Sequence, residues 1–197
     1  MSSQPVYLTF DDGPDPRWTP QILDLLAQAR MHATFFAIGE CAQRDPALMR
    51  RIAAAGHAIG NHTFSHRHPW LMSSRAARAQ VRDGARALSD AVGSAPDLYR
   101  PPHGRVRPCM TDEAQLHGER MVMWDRSAID WGWLGTAPRI AARLARVRPG
   151  EVVLMHDGQN VHNRPEQLVQ VLPEFLRELA GRGLHSWAFS ENQRTLR

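Results

Sequence analysis

Short apolar runs alternate with longer amphipathic runs along the whole chain. The short runs have the length and spacing of strands, and they cover Val6–Asp11, Ala33–Ile38, His57–Asn61, Asp97–Arg100, Met121–Asp125, Val152–His156 and Leu184–Phe189. Strands that alternate with helices build parallel sheets. The pattern therefore predicts an α/β protein, a distorted (β/α) barrel of about seven parallel strands in a single domain that spans residues 1–197.

The residues that open the amphipathic runs indicate where helices begin. Thr19-Pro20 and Asp45-Pro46 each place an N-cap residue before a proline at the first helical position. The other predicted helices cover Ser73–Val92, Ala137–Val147, Pro165–Gly181 and a short segment near Thr111–Leu116. No apolar run is long enough to span a membrane, so no membrane partner is expected.

Polar side chains cluster where the predicted strands end. In parallel barrels the chemistry lies at the C-terminal ends of the strands. The residues at or just after these ends are Asp11, Asp12, His62, His66, Arg100, Asp130 and His156. We therefore expect all of them on one rim of the barrel.

Two adjacent carboxylates, Asp11 and Asp12, end the first predicted strand. Neighbouring residues within a strand point to opposite faces, but Gly13-Pro14 follows directly and lets the backbone bend. Both acids then reach the same rim, where one could hold a metal ion and the other could act as a base. The alternative interpretation is an ordinary Asp-Gly-Pro turn.

His62 and His66 are four residues apart, which on a helical turn places both imidazoles on one side. With a strand-end carboxylate they form a three-ligand set that leaves positions open for water and substrate, as in catalytic zinc sites. Two histidines and a carboxylate also bind iron in oxygenases. Zinc is the preferred ion, and cobalt or nickel could substitute for it. The nearby His68 leaves open that this segment is simply a histidine-rich loop.

The composition excludes several kinds of chemistry. The chain has 24 basic residues, all of them arginine, so a Schiff-base lysine, a P-loop lysine and a Ser-Lys dyad are ruled out. The net charge of +4 could indicate nucleic-acid binding. However, the arginines are scattered over several predicted helices without a binding motif, so no nucleic-acid partner is expected.

The cysteines and the N-terminus bear on compartment. Cys41 and Cys109 form no metal or disulfide motif and are expected to be ordinary thiols. The first predicted strand begins at Val6, which leaves no room for a secretory signal. We expect a cytoplasmic monomer, the alternative being a secreted protein whose leader is missing from this chain.

The chain contains five short motifs that carry the candidate site residues. They are Thr9-Phe10-Asp11-Asp12-Gly13-Pro14, His62-Thr63-Phe64-Ser65-His66, Arg100-Pro101-Pro102-His103-Gly104, Ser127-Ala128-Ile129-Asp130-Trp131 and Leu154-Met155-His156. With these motifs the chain resembles the NodB-homology polysaccharide deacetylases, carbohydrate esterase family four. Two positions depart from the family pattern: His103 stands where Tyr or Phe is usual, and Ser127 stands where the fourth motif often opens with Asp.

The resemblance implies a role for each motif residue near the metal. Asp12, His62 and His66 would hold one divalent ion, which lowers the pKa of a bound water to about 7 in zinc enzymes. Asp11 would be the general base, and Arg100 would keep it charged and oriented.

Two further roles follow from the resemblance on the substrate side. The backbone N–H of His103 is the first donor after two prolines and would stabilise the oxyanion, while its imidazole is a candidate substrate contact. His156 would protonate the leaving amine, with Asp130 raising its pKa. Trp131 and Leu154 would wall the pocket for the acetyl methyl group.

The expected function is metal-dependent removal of acetyl groups from N-acetylglucosamine units of a glycan, either a chitooligosaccharide or peptidoglycan. An O-acetyl esterase on an acetylxylan-type polymer is an alternative, because ester and amide pass through the same tetrahedral intermediate. A non-catalytic glycan-binding protein of the same fold is a third hypothesis.

Overall fold

The computed structural model describes residues 5–189 as a parallel sheet surrounded by helices. The strands are β1 Tyr7–Asp11, β2 Ala33–Ala37, β3 Ala58–Asn61, β4 Leu98–Tyr99, β5 Arg120–Met121, β6 Arg126–Ser127 and β7 Val152–His156. The helices are α1 Thr19–Ala29, α2 Gly39–Arg44, α3 Pro46–Ala54, α4 Ser74–Val92, α5 Pro108–Leu116, α6 Ala137–Leu144 and α7 Pro165–Gly181. No helix in the described part of the chain is long and apolar enough to cross a membrane.

All seven strands belong to one sheet in the order β5-β4-β3-β2-β1-β7-β6, and every neighbouring pair is parallel. The central strand β1 pairs with β2 on one side and β7 on the other. In this register Asp11 lies opposite Phe36 of β2 and His156 of β7. The C-terminal ends of β1 and β7 therefore stand side by side.

The sheet is curled until its two edges nearly meet. Strands β5 and β6 are the edge strands, yet only residues 122–125 separate them. Five extended Cα steps span at most roughly 18 Å, so the edges must be close. Val122 N–H donates to Tyr99 C=O at one edge, and Asp125 N–H donates to Val152 C=O near the other. The predicted distorted (β/α) barrel of seven parallel strands is confirmed.

Alternation along β1 separates the helix-packed core from the barrel interior. Leu8 and Phe10 belong to the main apolar cluster, which the sheet forms with the surrounding helices. Tyr7 belongs to a smaller cluster with Phe36. Because successive strand residues point to opposite faces, Thr9 and Asp11 share the face of Tyr7. Asp11 is thereby directed into the barrel rather than into the helix layer.

Two of the predicted strands differ from the structure. Leu184–Phe189 makes only an isolated bridge, Val6 to Ser186. Strand β1 is already paired on both edges over residues 8–11, so only its N-terminal end is left to pair. The predicted strand Met121–Asp125 is also wrong in extent, because β5 ends at Met121 and residues 122–125 cross the gap to β6. No predicted strand corresponds to β6.

The helix starts are partly as predicted. Asp45 caps α3, its carboxylate accepting from Leu48 N–H at 2.9 Å. Thr19 is the first residue of α1 rather than its cap. Its hydroxyl accepts from Asp15 N–H at 2.8 Å and donates to the buried carboxylate of Asp157, so a tertiary contact takes it away from the capping position.

A buried acid, Glu119, lies behind β3 and β4. It is 2% exposed and accepts from Asn61 Nδ2 with both carboxylate oxygens, at 3.1 and 3.0 Å. Burial raises the pKa of Glu119 to about 8, against the opposing effect of the Asn61 hydrogen bonds. The folded protein therefore binds a proton at Glu119 more readily than the unfolded chain does.

This raised pKa predicts a loss of stability as pH rises. Relative to E119Q, the wild-type free energy of unfolding should fall by up to about 1.4 kcal/mol per pH unit between about pH 5 and pH 8. Urea unfolding of both proteins across that range measures the difference. E178Q, which changes an exposed glutamate of α7, is the matched control and should follow the wild type. Parallel pH profiles for E119Q and wild type would contradict the raised pKa.

Candidate active site

An open cavity of about 470 Å³ lies at the C-terminal ends of the strands, within the size range of small-ligand sites. The predicted site residues that line it are Asp11, Asp12, His62, His66, His103, Trp131, Leu154 and His156. Arg100 and Asp130 are both fully buried and lie behind this lining. The residues predicted for one rim are thus brought together.

Asp11 and Asp12 reach the same cavity because the backbone changes direction between them. Asp11 is the last residue of β1, and Asp12 adopts a left-handed conformation with φ of 73°, which Asp tolerates better than most residues. Gly13 lies against Asp157, where a Cβ would come within 2.1 Å of a carboxylate oxygen. The close approach of the Asp157 carboxylate, rather than a left-handed backbone, therefore favours glycine at position 13.

Asp12, His62 and His66 form a group that could hold a metal ion. Asp12 Oδ1 lies 3.1 Å from His66 Nε2 and 3.4 Å from His62 Nε2. Within the described residues this buried oxygen has no hydrogen-bond partner. The three ligand atoms lie within 4.8 Å of one another. An orphaned carboxylate oxygen facing two imidazole nitrogens is a donor set that suits a divalent cation.

The hydrogen bonding of His62 and the pKa values of His66 and Asp12 also fit a cation. Burial by itself lowers the pKa of His62, but the Asp11 and Asp12 carboxylates outweigh it and raise that pKa. His62 Nδ1 lies 2.7 Å from the Arg100 carbonyl oxygen, which only accepts, so Nδ1 carries the proton and Nε2 offers its lone pair. Burial lowers the pKa of His66 to about 3, which favours the neutral ring. Burial alone would raise the pKa of Asp12, but the neighbouring imidazoles outweigh it and hold that pKa well below its usual range.

The His62–His66 segment is not the helical turn that the spacing indicated. Thr63 and His66 have left-handed φ values of 68° and 53°, and the segment is an irregular loop after β3. Asn61 Oδ1 accepts from Thr63 N–H at 2.9 Å. The loop rests on α4 at Gly84, where a Cβ would approach Asn61 Oδ1 to 2.4 Å. The imidazoles converge through this tertiary support, with ring centroids 4.9 Å apart.

Arg100 holds one oxygen of Asp11. Its Nη1 donates to Asp11 Oδ1 and to Thr9 Oγ1, both at 2.7 Å. The other carboxylate oxygen of Asp11, Oδ2, lies 3.7 Å from His62 Nε2. The Asp11 carboxylate is therefore anchored at one oxygen and directs the other towards the candidate metal group.

The remaining nitrogens of Arg100 fix the guanidinium inside the barrel. Nε donates to Val122 C=O at 2.9 Å and Nη2 donates to Met123 C=O at 3.3 Å. The guanidinium carbon lies 4.0 Å from the centre of the Phe36 ring. Burial lowers the pKa of Arg100, against the opposing charge of Asp11, but an arginine remains protonated in proteins.

His156 and Asp130 form a second oriented pair. His156 Nδ1 lies 2.9 Å from Asp130 Oδ1, and His156 N–H donates to Asp130 Oδ2 at 2.7 Å. Burial by itself lowers the pKa of His156, but the charge and hydrogen bond of Asp130 raise it to about 9. Ser127, the departure from the fourth motif, accepts from Ile129 N–H at 3.0 Å. Its hydroxyl thus shapes the turn that leads to Asp130.

His103 has a left-handed backbone conformation, with a φ of 57°. The His103 ring packs edge-on against His66, with centroids 4.5 Å apart, and stacks on His68 at 5.3 Å. The imidazole therefore belongs to a row of histidines that leads out from the candidate metal group.

The cavity wall combines predicted and unpredicted residues. Trp131 packs edge-on against His156 at 5.2 Å between centroids, and Leu154 lies beside it in the lining. Trp124 also lines the cavity, and no sequence pattern predicted a role for it. A Cβ at Gly104 would come within 2.6 Å of the Trp124 ring. Trp124 belongs to none of the five motifs. It reaches the cavity because residues 122–125 cross the gap between β5 and β6.

Two asparagines in the loop after β7 were also missed. Asn160 and Asn163 each donate from Nδ2 to Asp12 Oδ2, at 3.1 and 2.7 Å. No local pattern connects them to an acid about 150 positions earlier in the chain. Both residues line the same cavity as Asp12.

The chain is similar to several known proteins. A sequence model of one family, described as Polysaccharide deacetylase, matches residues 1–122. A peptidoglycan-N-acetylglucosamine deacetylase of Bacillus cereus is 36% identical over 188 residues, covering 94% of this chain and 86% of that protein. A chitooligosaccharide deacetylase of Sinorhizobium fredii is 40% identical over 154 residues, covering 78% of this chain and 72% of the relative.

A solved structure shows the same architecture. The family 4 carbohydrate esterase from Streptomyces lividans in complex with acetate superposes with a TM-score of 0.85 and 30% sequence identity. The superposition covers 96% of this chain and 95% of that chain. The family match covers more than half of the chain, and the first relative extends over nearly all of it. The chain therefore belongs to the polysaccharide deacetylase family, as its five motifs predicted, and is an enzyme.

Proposed function

We propose that this enzyme is a metal-dependent hydrolase that removes acetyl groups from N-acetylglucosamine units of peptidoglycan or a chitooligosaccharide. The observation that carries the proposal is the unpartnered Asp12 Oδ1 facing two histidine nitrogens in one cavity with Asp11 and His156. The named activities of the B. cereus and S. fredii relatives support the choice of substrate. The proposed catalytic domain is 1–197, of which residues 1–4 and 190–197 lie outside the described part.

Asp12, His62 and His66 would hold the ion, and zinc is the proposed ion because imidazole and carboxylate ligands suit it. Cobalt or nickel could replace it. When bound, such an ion activates water and polarises the acetyl carbonyl. All other steps fall to residues of this chain, through their side chains or their backbone.

Asp11 is the proposed general base. Arg100 binds Oδ1 and orients the carboxylate, which leaves Oδ2 to take the proton from the attacking water. The fixed guanidinium also prevents the carboxylate from turning away from the cavity. In this proposal Arg100 acts through Asp11 rather than on the substrate.

Oxyanion stabilisation is assigned to the backbone N–H of His103. Pro101 and Pro102 have no N–H to offer, and the left-handed φ at His103 sets the direction of the peptide groups on either side. The imidazole of His103, which packs against His66, is proposed to contact the sugar. The backbone N–H donor is present with every residue except proline at this position, so His in place of Tyr or Phe leaves it intact.

His156 is the proposed general acid. Asp130 occupies Nδ1, so the other ring nitrogen, Nε2, is left to protonate the leaving amine. A pKa of about 9 keeps the ring protonated near neutral pH. An amine leaving group needs this proton to depart. Trp131 and Leu154 would confine the acetyl methyl group beside His156.

A substrate panel tests the reaction. Metal-stripped protein should release no acetate, and protein with zinc or cobalt restored should release acetate from chitooligosaccharides or peptidoglycan fragments. Acetate assays on these glycans and on acetylxylan make the measurement. Release from acetylxylan alone would show an esterase instead. Absence of release from every glycan by the zinc-loaded protein would support the glycan-binding hypothesis.

Replacing the base should separate catalysis from metal binding. D11N keeps an oxygen acceptor for Arg100 but cannot take a proton, so turnover should fall by roughly 10²–10⁴-fold with the zinc content unchanged. D24N, which changes an exposed acid on α1, is the control and should keep wild-type turnover. Wild-type turnover in D11N would remove Asp11 from the mechanism.

Removing the charge beside the acid should change the pH profile. D130N removes the main factor that raises the pKa of His156, so that pKa should fall by about one to three units. Because the protonated ring is the active form, the alkaline limb of kcat should move to lower pH. NMR titration of His156 and the pH–rate profile measure the two effects. D125N, whose acid bonds Val152 N–H instead, should leave both unchanged.

A further inference from the structure

The two carboxylate oxygens of Asp12 have opposite surroundings. Oδ1 faces His62 and His66 and has no hydrogen-bond donor among the described residues. Oδ2 accepts two hydrogen bonds, from Asn163 Nδ2 at 2.7 Å and from Asn160 Nδ2 at 3.1 Å. The carboxylate is therefore held by one oxygen and presents the other.

Asn163 is itself firmly held. It is 6% exposed, and its Nδ2 also donates to Gly158 C=O at 3.0 Å. Its backbone N–H donates to Asn160 Oδ1 at 2.9 Å, and it forms an antiparallel bridge with Trp131. These contacts hold Asn163 in place independently of its hydrogen bond to Asp12.

The loop that carries both asparagines is built around the Asp11–Asp12 turn. Asp157 N–H and Gly158 N–H both donate to Asp11 C=O, at 3.2 and 3.3 Å. A Cβ on Gly158 would come within 2.1 Å of the Asp12 carbonyl oxygen, so only glycine allows this approach. The backbone contact brings the amide donors within reach of Asp12.

We propose that Asn160 and Asn163 are positioning residues that fix Asp12 as a one-oxygen metal ligand. Two donors on Oδ2 prevent that oxygen from competing for the ion, and they orient Oδ1 towards His62 and His66. Coordination positions then stay open for water and substrate, as a catalytic site requires. The inference rests on the proposed metal site, and it assigns to this loop the geometry of the Asp12 ligand.

The test is metal affinity in N163L, which keeps the approximate side-chain volume but removes the donor. The zinc dissociation constant, measured by competition with a chromophoric chelator, should rise about 10–100-fold. The visible spectrum of the Co²⁺-loaded protein should change as well, because the coordination of Asp12 changes. Circular dichroism and thermal unfolding of the metal-free protein check that N163L folds, and N163A gives the answer if it does not.

Q159A is the matched control, because Gln159 lies in the same loop but binds Trp18 Nε1. Its zinc affinity should stay within about twofold of wild type. A folded N163L or N163A with wild-type zinc affinity and Co²⁺ spectrum would overturn the inference.

The outcomes also distinguish this inference from the proposed function. If wild type shows no zinc site that D12A abolishes, the proposed metal site fails and this inference fails with it. If wild type binds zinc through Asp12 while the variants at 163 bind equally well, only the positioning role is overturned.

Discussion

The buried ion pair of Arg100 and Asp11 is the contact on which both the barrel and the site depend. Arg100 is fully buried, and its nitrogens bind Thr9 and Asp11 of β1 and two carbonyls of the segment that closes the barrel gap. A buried cation is tolerated only when its donors and its charge are satisfied. Removal of one partner from such a pair generally destabilises a protein by about 3–5 kcal/mol. The Arg100 side chain therefore both closes the barrel and orients the proposed base.

A single arrangement recurs among the functional side chains. In each of these side chains, one polar atom is hydrogen-bonded within the protein and a second polar atom faces the cavity. Arg100 binds Oδ1 of Asp11, two asparagines bind Oδ2 of Asp12, and Asp130 binds Nδ1 of His156. His62 follows the same rule, with Nδ1 bound to the Arg100 carbonyl. Held atoms limit side-chain rotation before substrate arrives, which reduces the reorganisation that the reaction requires.

The differences between prediction and structure have physical causes. Leu184–Phe189 has the pattern of a strand, but both edges of β1 are already occupied over residues 8–11, so the segment forms only one bridge. His62 and His66 have helical spacing, yet left-handed residues and the support of α4 bring their rings together without a helix. Glu119 gave no local signal, because its burial depends on β3 and β4 packing over it. A local sequence pattern does not show whether the edge of a neighbouring strand is already paired or which distant segment packs over a side chain.

The family, the parallel barrel and the group of residues at its rim could all be predicted from the amino-acid order alone, because motif residues at the ends of parallel strands must meet at one end of the sheet. The contacts between distant segments, by contrast, became visible only in the folded chain. Asn163 and Asp12 are 151 positions apart, and Trp124 reaches the cavity through an irregular crossing. Such pairings arise from how the chain closes on itself, and neither periodicity nor spacing encodes them. The motif residues could therefore be predicted, whereas the side chains that support them could be identified only in the fold.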